Sequence, residues 1–243
     1  MIEWIGFDAD DTLWHNETLF HLTQERYVTL LSAYHPPTEI ERKLFATEMR
    51  NLKDFGYGIK GFTLSMIETA IELTEGRIPA AQVREVLEFG RAMMRAPVEL
   101  LEHARETVET LHESYPLLLV TKGDLFDQES KIARSGLSRF FRGIEILTAK
   151  TPEAYRDVLE RYGIAPGRFL MVGNSLKSDV LPVLAIGGQA AHVEYPLCWE
   201  HEKVTESELE GKPFHRLASL ADLPALVAAI GRVCSTTNLT NSH

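Results

Sequence analysis

Residues 2–14, IEWIGFDADDTLW, decide how the fold is built. An apolar run, residues 2–7, leads directly into the acids Asp8, Asp10 and Asp11. A short apolar run that ends in polar residues is typical of a strand buried on both faces of a parallel sheet. Because ligands bind outside the carboxyl ends of the strands in open parallel sheets, we expect these acids to lie at the functional edge.

Three further apolar runs have the same character, and helical patterns separate them. The runs are residues 117–121 (LLLVT), 144–147 (IEIL) and 169–173 (FLMVG). Ahead of the last run, Thr151 followed by Pro152 is typical of a helix N-cap and first helical position. Strands and helices therefore alternate from about residue 98 onward, which predicts an open α/β sheet with right-handed crossovers.

Residues 16–96 contain no convincing strand and predict a block of helices instead. A capping box at Thr38 and Glu41 indicates the start of one helix, and Pro79 is typical of the start of another. Between them, a helix is predicted from an apolar stripe at helical spacing, namely Leu64, Ile67 and Ile71. The predicted division is a core of residues 1–15 and 97–234, an inserted all-helical domain of residues 16–96 and a flexible tail of residues 235–243.

Residues 56–61, GYGIKG, match the glycine pattern GxGxxG of dinucleotide-binding proteins letter for letter. That pattern requires a preceding buried strand, whereas residues 48–55 (EMRNLKDF) are charged and helical in character. We therefore expect a flexible loop inside the helical insertion. Tyr57 and Lys60 on this loop either reach the leaving group of a substrate or are solvated, and the sequence leaves both interpretations open.

The composition is that of an ordinary globular protein, with 44% hydrophobic and 25% charged residues among 243. The formal net charge of −10 argues against a nucleic-acid binder, because affinity for a phosphate backbone comes from clustered Lys and Arg. Small molecules are the expected partners. The composition leaves the oligomeric state open.

The cysteines and the apolar runs favour a cytoplasmic protein. Cys198 and Cys234 lie far apart and form no CxxC pair, which predicts neither a disulfide framework nor a cysteine zinc site. No apolar run approaches the ~18 residues of a membrane span, and the acidic start differs from the positive start of a signal peptide. We expect no membrane partner.

Polar residues lie at the carboxyl end of each of the four predicted strands. They are Asp8, Asp10 and Thr12 for the first strand, Thr121 and Lys122 for the second, Lys150 for the third, and Asn174 and Asp179 for the fourth. A single acidic cluster after a strand carries little weight, since Asp commonly ends strands and caps helices. The recurrence on four strands predicts one shared site.

This pattern resembles the four motifs of the haloacid dehalogenase-like (HAD) hydrolase superfamily over residues 2 to about 194. The run FDADDTLW, residues 7–14, is the most specific part of the match. The helical insertion resembles the cap of that superfamily. The resemblance implies a Rossmann-like core, Mg²⁺ as cofactor, an aspartate nucleophile and, most often, hydrolysis of a phosphate ester.

The charges of these residues also favour a metal-assisted phosphoryl site. Asp8, Asp10 and Asp179 would bring three negative charges together, and two unit charges ~4 Å apart repel by about 4 kcal/mol at an effective dielectric constant near 20. Lys150 and a divalent cation together cancel the three charges, and carboxylate oxygens suit Mg²⁺. We therefore predict the three aspartates as metal ligands.

Each main residue has a predicted role. Asp8 attacks phosphorus to form an aspartyl-phosphate, and Asp10 protonates the leaving alcohol and then takes a proton from the hydrolytic water. Side chains at i and i+2 of an extended segment point the same way, which allows both acids to face one pocket. Thr121 offers its hydroxyl to phosphate oxygens, and Lys150 neutralises charge on the transferring group.

Several neighbouring residues are open to two interpretations. Thr12 is either a helix N-cap or a phosphate contact. Asn174, where the superfamily often has an aspartate, is counted among the substrate-binding residues and is predicted to bind a metal-bound water or to orient the catalytic lysine. For Lys122 and Asp124, a solvated or helix-capping position is favoured over a catalytic role, and Lys122 is kept as a substrate contact. Asp11 replaces a common glycine, and its role stays open. The nine histidines show no metal-ligand spacing and are assigned no role.

The leading hypothesis is a Mg²⁺-dependent phosphatase of a small phosphorylated metabolite. A dehalogenase shares the aspartate nucleophile but needs no acid to protonate a halide, so Asp10 argues against it. A phosphomutase or a phosphonatase on the same core stays open, and a phosphonatase needs an amine for which Lys60 is the one suggested placement. A non-hydrolytic phosphate-binding regulatory module is disfavoured by the intact pair Asp8 and Asp10.

Overall fold

The computed structural model describes residues 1–237, with side chains described as far as residue 230. The chain divides into two compact units. The sheet unit comprises Met1–His15, Val98–Thr121 and the described residues from Ile132 onward, and the helical unit comprises Asn16–Pro97 and Lys122–Lys131. The second segment of the helical unit falls in the region that the sequence assigns to the core, and contacts of Lys122 and Asp124 within that unit account for the difference.

Six strands form the centre of the sheet unit. They are β1 (Trp4–Phe7), β2 (Leu117–Lys122), β3 (Gly143–Leu147), β4 (Phe169–Gly173), β5 (Gln189–Val193) and β6 (His215–Leu217). The strands lie in the order β3-β2-β1-β4-β5-β6, and β1 pairs in parallel with both β2 and β4. β5 pairs in parallel with both β4 and β6. The predicted α/β class with a parallel sheet is confirmed.

The described residues also form ten α-helices and one π-helical turn, Leu176–Val180, which follows β4. The helical unit contains α1 (Glu17–Leu31), α2 (Pro37–Phe55), α3 (Ile59–Leu73) and α4 (Ala80–Arg95). The remaining helices are α5 (Ala104–His112), α6 (Leu125–Ser135), α7 (Pro152–Arg161), α8 (Leu181–Ala185), α9 (Glu206–Leu209) and α10 (Leu223–Thr237).

Alternating side chains of the central strands belong to two different hydrophobic clusters. Leu117 and Leu119 of β2 belong to one cluster, while Leu118 and Val120 belong to the other. Successive side chains of a strand point to opposite faces of a sheet, so each face has its own core. Both faces are therefore buried, which explains why the central strands are continuous apolar runs.

The helical unit has a separate core, and one predicted helix face is wrong. Leu64 and Ile71 of α3 are 42% and 45% exposed. The buried residues of α3 instead include Ile59, Phe62, Met66 and Ala70. Because α3 is apolar around much of its circumference, more than one apolar stripe fits its sequence, and packing within the unit selects the buried one.

Three local predictions differ from the structure. The capping box is wrong, because α2 already begins at Pro37, with Pro36 as its N-cap, and Thr38 lies inside the helix. The glycine-rich segment is a loop only at residues 56–58, and residues 59–61 form the first turn of α3. The predicted start of the flexible tail at residue 235 is too early, because α10 continues to Thr237. Residues 238–243 lie outside the described residues.

The predicted N-cap of α7 is present. The Thr151 hydroxyl accepts the N–H of Ala154 at 3.2 Å and so caps α7, as its sequence predicts. In the described part of the chain, no helix combines the length and the apolar character that crossing a bilayer requires.

Candidate active site

The side chains of Asp8, Lys150 and Asp179 form a buried charged triad in the sheet unit. Asp8 directly follows β1, and its backbone N–H donates to the Val172 carbonyl of β4 at 2.9 Å. Lys150 follows β3, and its Nζ donates to Asp8 Oδ1 and, at 2.6 Å, to Asp179 Oδ1. The side chains of Lys150 and Asp179 are each 1% exposed. The structure thus brings together three predicted site residues from three strand ends.

Burial and mutual attraction set the charge of this triad. Burial disfavours a charged amine, but the carboxylates of Asp179 and Asp8 outweigh it and raise the pKa of Lys150. Burial raises the pKa of Asp8 from 3.8 to about 7; Lys150 opposes this rise, and the charges of Asp179 and Asp10 add to it. One ammonium is thus shared by two carboxylates, and burial makes the negative charge on Asp8 costly.

The π-helical turn after β4 holds the Asp179 carboxylate in place. The backbone N–H of Ser175 donates to Asp179 Oδ2 at 3.0 Å, and the Tyr155 hydroxyl donates to the Ser178 carbonyl at 3.1 Å. Gly173 provides the space, because a Cβ built there would lie 2.3 Å from Asp179 Oδ2. π-Helical turns are rare and occur frequently at functional sites.

Thr12 connects the loop after β1 to the loop after β4. Its hydroxyl lies 3.1 Å from Asp8 Oδ2 and 3.3 Å from Asn174 Oδ1, and its single proton serves one of these acceptors at a time. The hydroxyl oxygen accepts the backbone N–H of Asn174 at 3.1 Å. Thr12 does not cap a helix, because α1 begins at Glu17 with Asn16 as its N-cap. Both Thr12 and Asn174 therefore lie beside the triad.

Asp10 and Asp11 form a tight turn with Trp14. The Trp14 Nε1–H donates to Asp10 Oδ1 at 2.7 Å, and the backbone N–H of Asp11 donates to the Trp14 carbonyl at 2.7 Å. Asp11 has a φ of 59°, in the left-handed region that favours glycine. Asp tolerates the left-handed region better than most residues that have a Cβ, which is why it fits this turn.

Thr121 and Lys122, adjacent at the end of β2, belong to different units. Thr121 lies in the sheet unit and is 1% exposed. Lys122 lies in the helical unit, where its Nζ is 4.6 Å from the centroid of the Tyr57 ring. In the same unit, Lys60 Nζ lies 2.9 Å from Asp124 Oδ1. These two contacts tie the 122–131 segment to the helical unit.

Asp124 acts as a helix-capping residue, one of the two explanations left open by the sequence. Its Oδ1 accepts the backbone N–H of Asp127 in the first turn of α6 at 3.0 Å. Partial burial opposes ionisation of Asp124, but the hydrogen bonds from Lys60 and from the Asp127 N–H outweigh it and lower the pKa of this carboxyl.

Comparison with known proteins identifies the family. The sequence matches the family model of haloacid dehalogenase-like hydrolases over residues 2–187. The chain belongs to the haloacid dehalogenase-like hydrolase family. This HAD hydrolase is 42% identical to a haloacid dehalogenase-like family hydrolase from Xanthomonas campestris of known crystal structure, over 97% of this chain and 94% of that chain, with a TM-score of 0.86.

Two curated relatives of this HAD hydrolase are named phosphatases. N-acylneuraminate-9-phosphatase of Homo sapiens is 23% identical over 237 residues, which cover 93% of this chain and 94% of the relative. The 5-amino-6-(5-phospho-D-ribitylamino)uracil phosphatase YigB of Escherichia coli (strain K12) is 22% identical over 242 residues, covering 90% and 94% of the two chains. Both likenesses extend over nearly the whole chain.

The acids of this HAD hydrolase suit a divalent cation in chemistry and charge. Within the described residues, no three His, Cys, Asp or Glu side chains are already arranged around one point where a metal would lie. Instead, Lys150 lies between Asp8 and Asp179, and Asp10 is bound by Trp14. When Asp8 is ionised, the two buried carboxylates carry one more negative charge than the Lys150 ammonium neutralises, and Mg²⁺ commonly binds through one or two carboxylates plus substrate phosphate. The donor set therefore fits Mg²⁺.

Two further residues of the HAD hydrolase contact the loop after β4 without having been singled out from the sequence. His192 of β5 shares a 2.9 Å hydrogen bond through Nε2 with the Asn174 carbonyl, and burial lowers its pKa. The Glu202 carboxylate accepts hydrogen bonds from the hydroxyls of Ser175 and Ser178. Neither residue lies in a motif or a periodic pattern, so a single sequence contains no signal for them.

Proposed function

We propose that this HAD hydrolase is a Mg²⁺-dependent phosphatase that cleaves the phosphate monoester of a small metabolite through an aspartyl-phosphate on Asp8. The observation that carries the proposal is the position of Lys150, whose ammonium contacts Asp8 and Asp179 together. Two relatives named phosphatases support the reaction class. The net charge of −10 favours a small phosphorylated partner over a nucleic acid.

Asp8 is the proposed nucleophile. A carboxylate oxygen of Asp8 attacks phosphorus, the bond between phosphorus and the ester oxygen breaks, and that oxygen leaves with its electron pair. Contacts from Lys150 and Thr12 hold the two Asp8 oxygens in defined positions, which orients the attacking oxygen toward phosphorus. The Lys150 ammonium also stabilises the negative charge spread over the transferring phosphoryl group.

Asp10 is the proposed acid and base. It gives its proton to the leaving ester oxygen in the first step and takes a proton from the attacking water in the second, so its own charge is restored at the end of the cycle. The hydrogen bond from the Trp14 indole fixes the orientation of its carboxyl group. Inorganic phosphate and an alcohol are the products.

Asp8 and Asp179, with Asp10, are the residues that would hold Mg²⁺. The bound cation would polarise the phosphoryl oxygens and favour the ionised form of Asp8. Thr121 is proposed to donate its hydroxyl to the phosphate, and Lys122 and Asn174 stay proposed substrate contacts. Cytoplasmic location stays a prediction from the sequence.

Among the described residues, no contact favours the alternative chemistries. A phosphonatase needs a neutral amine, whereas the Lys60 ammonium is paired with Asp124. A dehalogenase needs no acid to protonate a halide, whereas the Trp14 indole orients the carboxyl group of Asp10. A phosphomutase and a non-hydrolytic phosphate-binding module differ from a phosphatase in the fate of the phosphoryl group, which an assay of phosphate release distinguishes.

The test is phosphate release from a panel of phosphorylated sugars, nucleotides and cofactors, with and without Mg²⁺. We expect release of inorganic phosphate from at least one ester, and loss of that release after chelation or in Asp8→Asn. Transfer of phosphate to a second position of the substrate would indicate a mutase. Binding of an ester without release, or full activity of Asp8→Asn, would contradict the proposed function.

A further inference from the structure

The Glu202 carboxylate accepts hydrogen bonds from two serine hydroxyls in the turn that contains Asp179. Its Oε2 accepts the Ser175 hydroxyl at 2.5 Å and the Ser178 hydroxyl at 2.6 Å. Hydrogen bonds from hydroxyl groups to a carboxylate are among the stronger hydrogen bonds in proteins. Glu202 lies in a short helical turn, Glu200–Glu202, beyond β5, so this contact joins two separate loops of the sheet unit.

The Ser175 hydroxyl accepts one hydrogen bond and donates another. Its oxygen accepts the backbone N–H of Ser178 at 3.0 Å, so the hydroxyl already caps the turn as an acceptor. A hydroxyl has one proton to donate, and here Glu202 receives it. The capping role of Ser175 therefore does not by itself explain the presence of a carboxylate.

Ser175 connects Glu202 to the carboxylate of Asp179. The Ser175 N–H donates to Asp179 Oδ2 at 3.0 Å, and the Ser175 carbonyl accepts the Asp179 N–H at 2.8 Å. Ser178 is the residue immediately before Asp179. A displacement of either serine therefore moves the Asp179 carboxylate.

Other contacts attach the segment of residues 195–202 to the same edge of the sheet unit. Lys177 Nζ donates to the His201 carbonyl at 2.6 Å, beside the serine contacts. The Tyr195 hydroxyl and His15 Nδ1 share a hydrogen bond of 2.8 Å, next to the turn that contains Asp10 and Trp14. The segment thus contacts both loops that supply the acids, and Glu202 makes its contact nearest to Asp179 in sequence.

We propose that Glu202 is a positioning residue, which acts through Ser175 and Ser178 to hold Asp179 in the orientation that binds the divalent cation. This inference rests on the proposed function, because it assigns Asp179 to the metal. Glu202 touches neither metal nor substrate in this scheme. In other metal sites too, residues that contact the metal ligands but not the metal orient those ligands by hydrogen bonds.

The test measures Mn²⁺ binding directly, by electron paramagnetic resonance of free Mn²⁺ during titration, with no substrate present. Glu202→Ala should weaken Mn²⁺ affinity by about 10- to 100-fold, the usual effect of removing such a residue. Glu202→Gln should restore most of the affinity, because its amide oxygen accepts both hydroxyl protons. The matched control is Glu200→Ala in the same turn, whose carboxylate pairs with exposed Lys203 and should leave the affinity unchanged.

The outcomes separate this inference from the proposed function. Wild-type affinity in a folded Glu202→Ala variant would overturn the positioning role and leave the phosphatase proposal intact. Absence of Mn²⁺ binding by the wild-type protein would overturn both. If Glu202→Ala does not fold, Ser178→Ala replaces it, since it keeps the carboxylate and removes one of its two donors; unchanged affinity of that variant would also overturn the inference.

Discussion

A Cβ atom at Gly173 would lie 2.3 Å from Oδ2 of Asp179, a separation that forces one of the two groups to move. Gly173→Ala should therefore displace the Asp179 carboxylate from Lys150 and destabilise the fold by about 1–3 kcal/mol, the usual cost of overpacking a core. Urea denaturation measures the change in the free energy of unfolding. Gly167→Ala is the control, because its Cβ would meet only an oxygen 3.9 Å away. Equal stability of the two variants would show that Gly173 is not required for space.

The backbone strain at Asp11 is measurable by comparing two variants that both lack its carboxylate. Asp11 has a φ of 59°, which glycine adopts without cost and alanine does not. Asp11→Gly should be more stable than Asp11→Ala by about 1 kcal/mol, the cost of the left-handed conformation for a residue with a Cβ. Thermal and urea unfolding of the pair measure the difference. A more stable alanine variant would mean that the turn does not keep this conformation.

The Trp14 indole should contribute to catalysis through Asp10. Trp14→Phe keeps an aromatic ring but removes the N–H that donates to Asp10 Oδ1. We expect kcat to fall at least about tenfold with little change in KM, because Asp10 becomes charged as it gives up its proton, and a hydrogen bond to a charged group contributes about 1.5–3 kcal/mol. Trp4→Phe, at the first residue of β1, is the control for the smaller ring. An unchanged kcat in Trp14→Phe would show that the indole does not contribute to catalysis.

His35 should make the stability of the helical unit depend on pH. Its Nε2 lies 2.8 Å from the Leu73 carbonyl and its Nδ1 lies 3.1 Å from Glu39 Oε2, so the protonated ring donates to both. The Leu73 carbonyl, followed by Glu39, raises the pKa of His35 above its ordinary value, and partial burial opposes the rise. A raised pKa in the folded state means stabilisation that is complete below the ordinary pKa of histidine and is lost as the pH rises through the folded value.

The corresponding measurement is the Tm of the wild type and of His35→Gln across this pH range. The wild type should exceed the variant most at about pH 5.5 and least at about pH 9, on either side of the ordinary histidine pKa. His21→Gln, on the exposed surface of α1, controls for the loss of a histidine in the same unit. A difference in Tm that grows as the pH rises would contradict the assignment.

The strands and the strand-end residues could be predicted because their signals are local. A strand buried on both faces requires a continuous apolar run, and parallel strands place their carboxyl ends at one edge of the sheet. These two rules suffice to predict the proximity of Asp8, Lys150 and Asp179 found in the structure. β5 has a weaker signal, since its sequence QAAHV mixes small and polar residues.

The remaining features depend on contacts between distant segments. The buried face of α3 depends on which neighbouring helices it meets, so the stripe through Leu64 and Ile71 is as good a local pattern as the true one. Glu202 reaches Ser175 across 27 positions of the chain, through the path of a loop that no periodicity describes. Asp10 points its carboxyl to Trp14 because of a turn geometry that depends on the left-handed conformation of Asp11.

The central claim is that the phosphoryl group passes through Asp8, and trapping that group is its most direct test. Asp10→Asn should slow the acid–base steps by at least about 100-fold. The leaving group of p-nitrophenyl phosphate needs no protonation, so in this variant Asp8 should be phosphorylated faster than its aspartyl-phosphate is hydrolysed. Acid quenching followed by peptide mass spectrometry should then find a hydroxylamine-labile phosphate on the peptide that contains Asp8. Turnover by the wild type with no phosphate on Asp8 in the quenched variant, together with undiminished turnover by Asp8→Asn, would contradict the account.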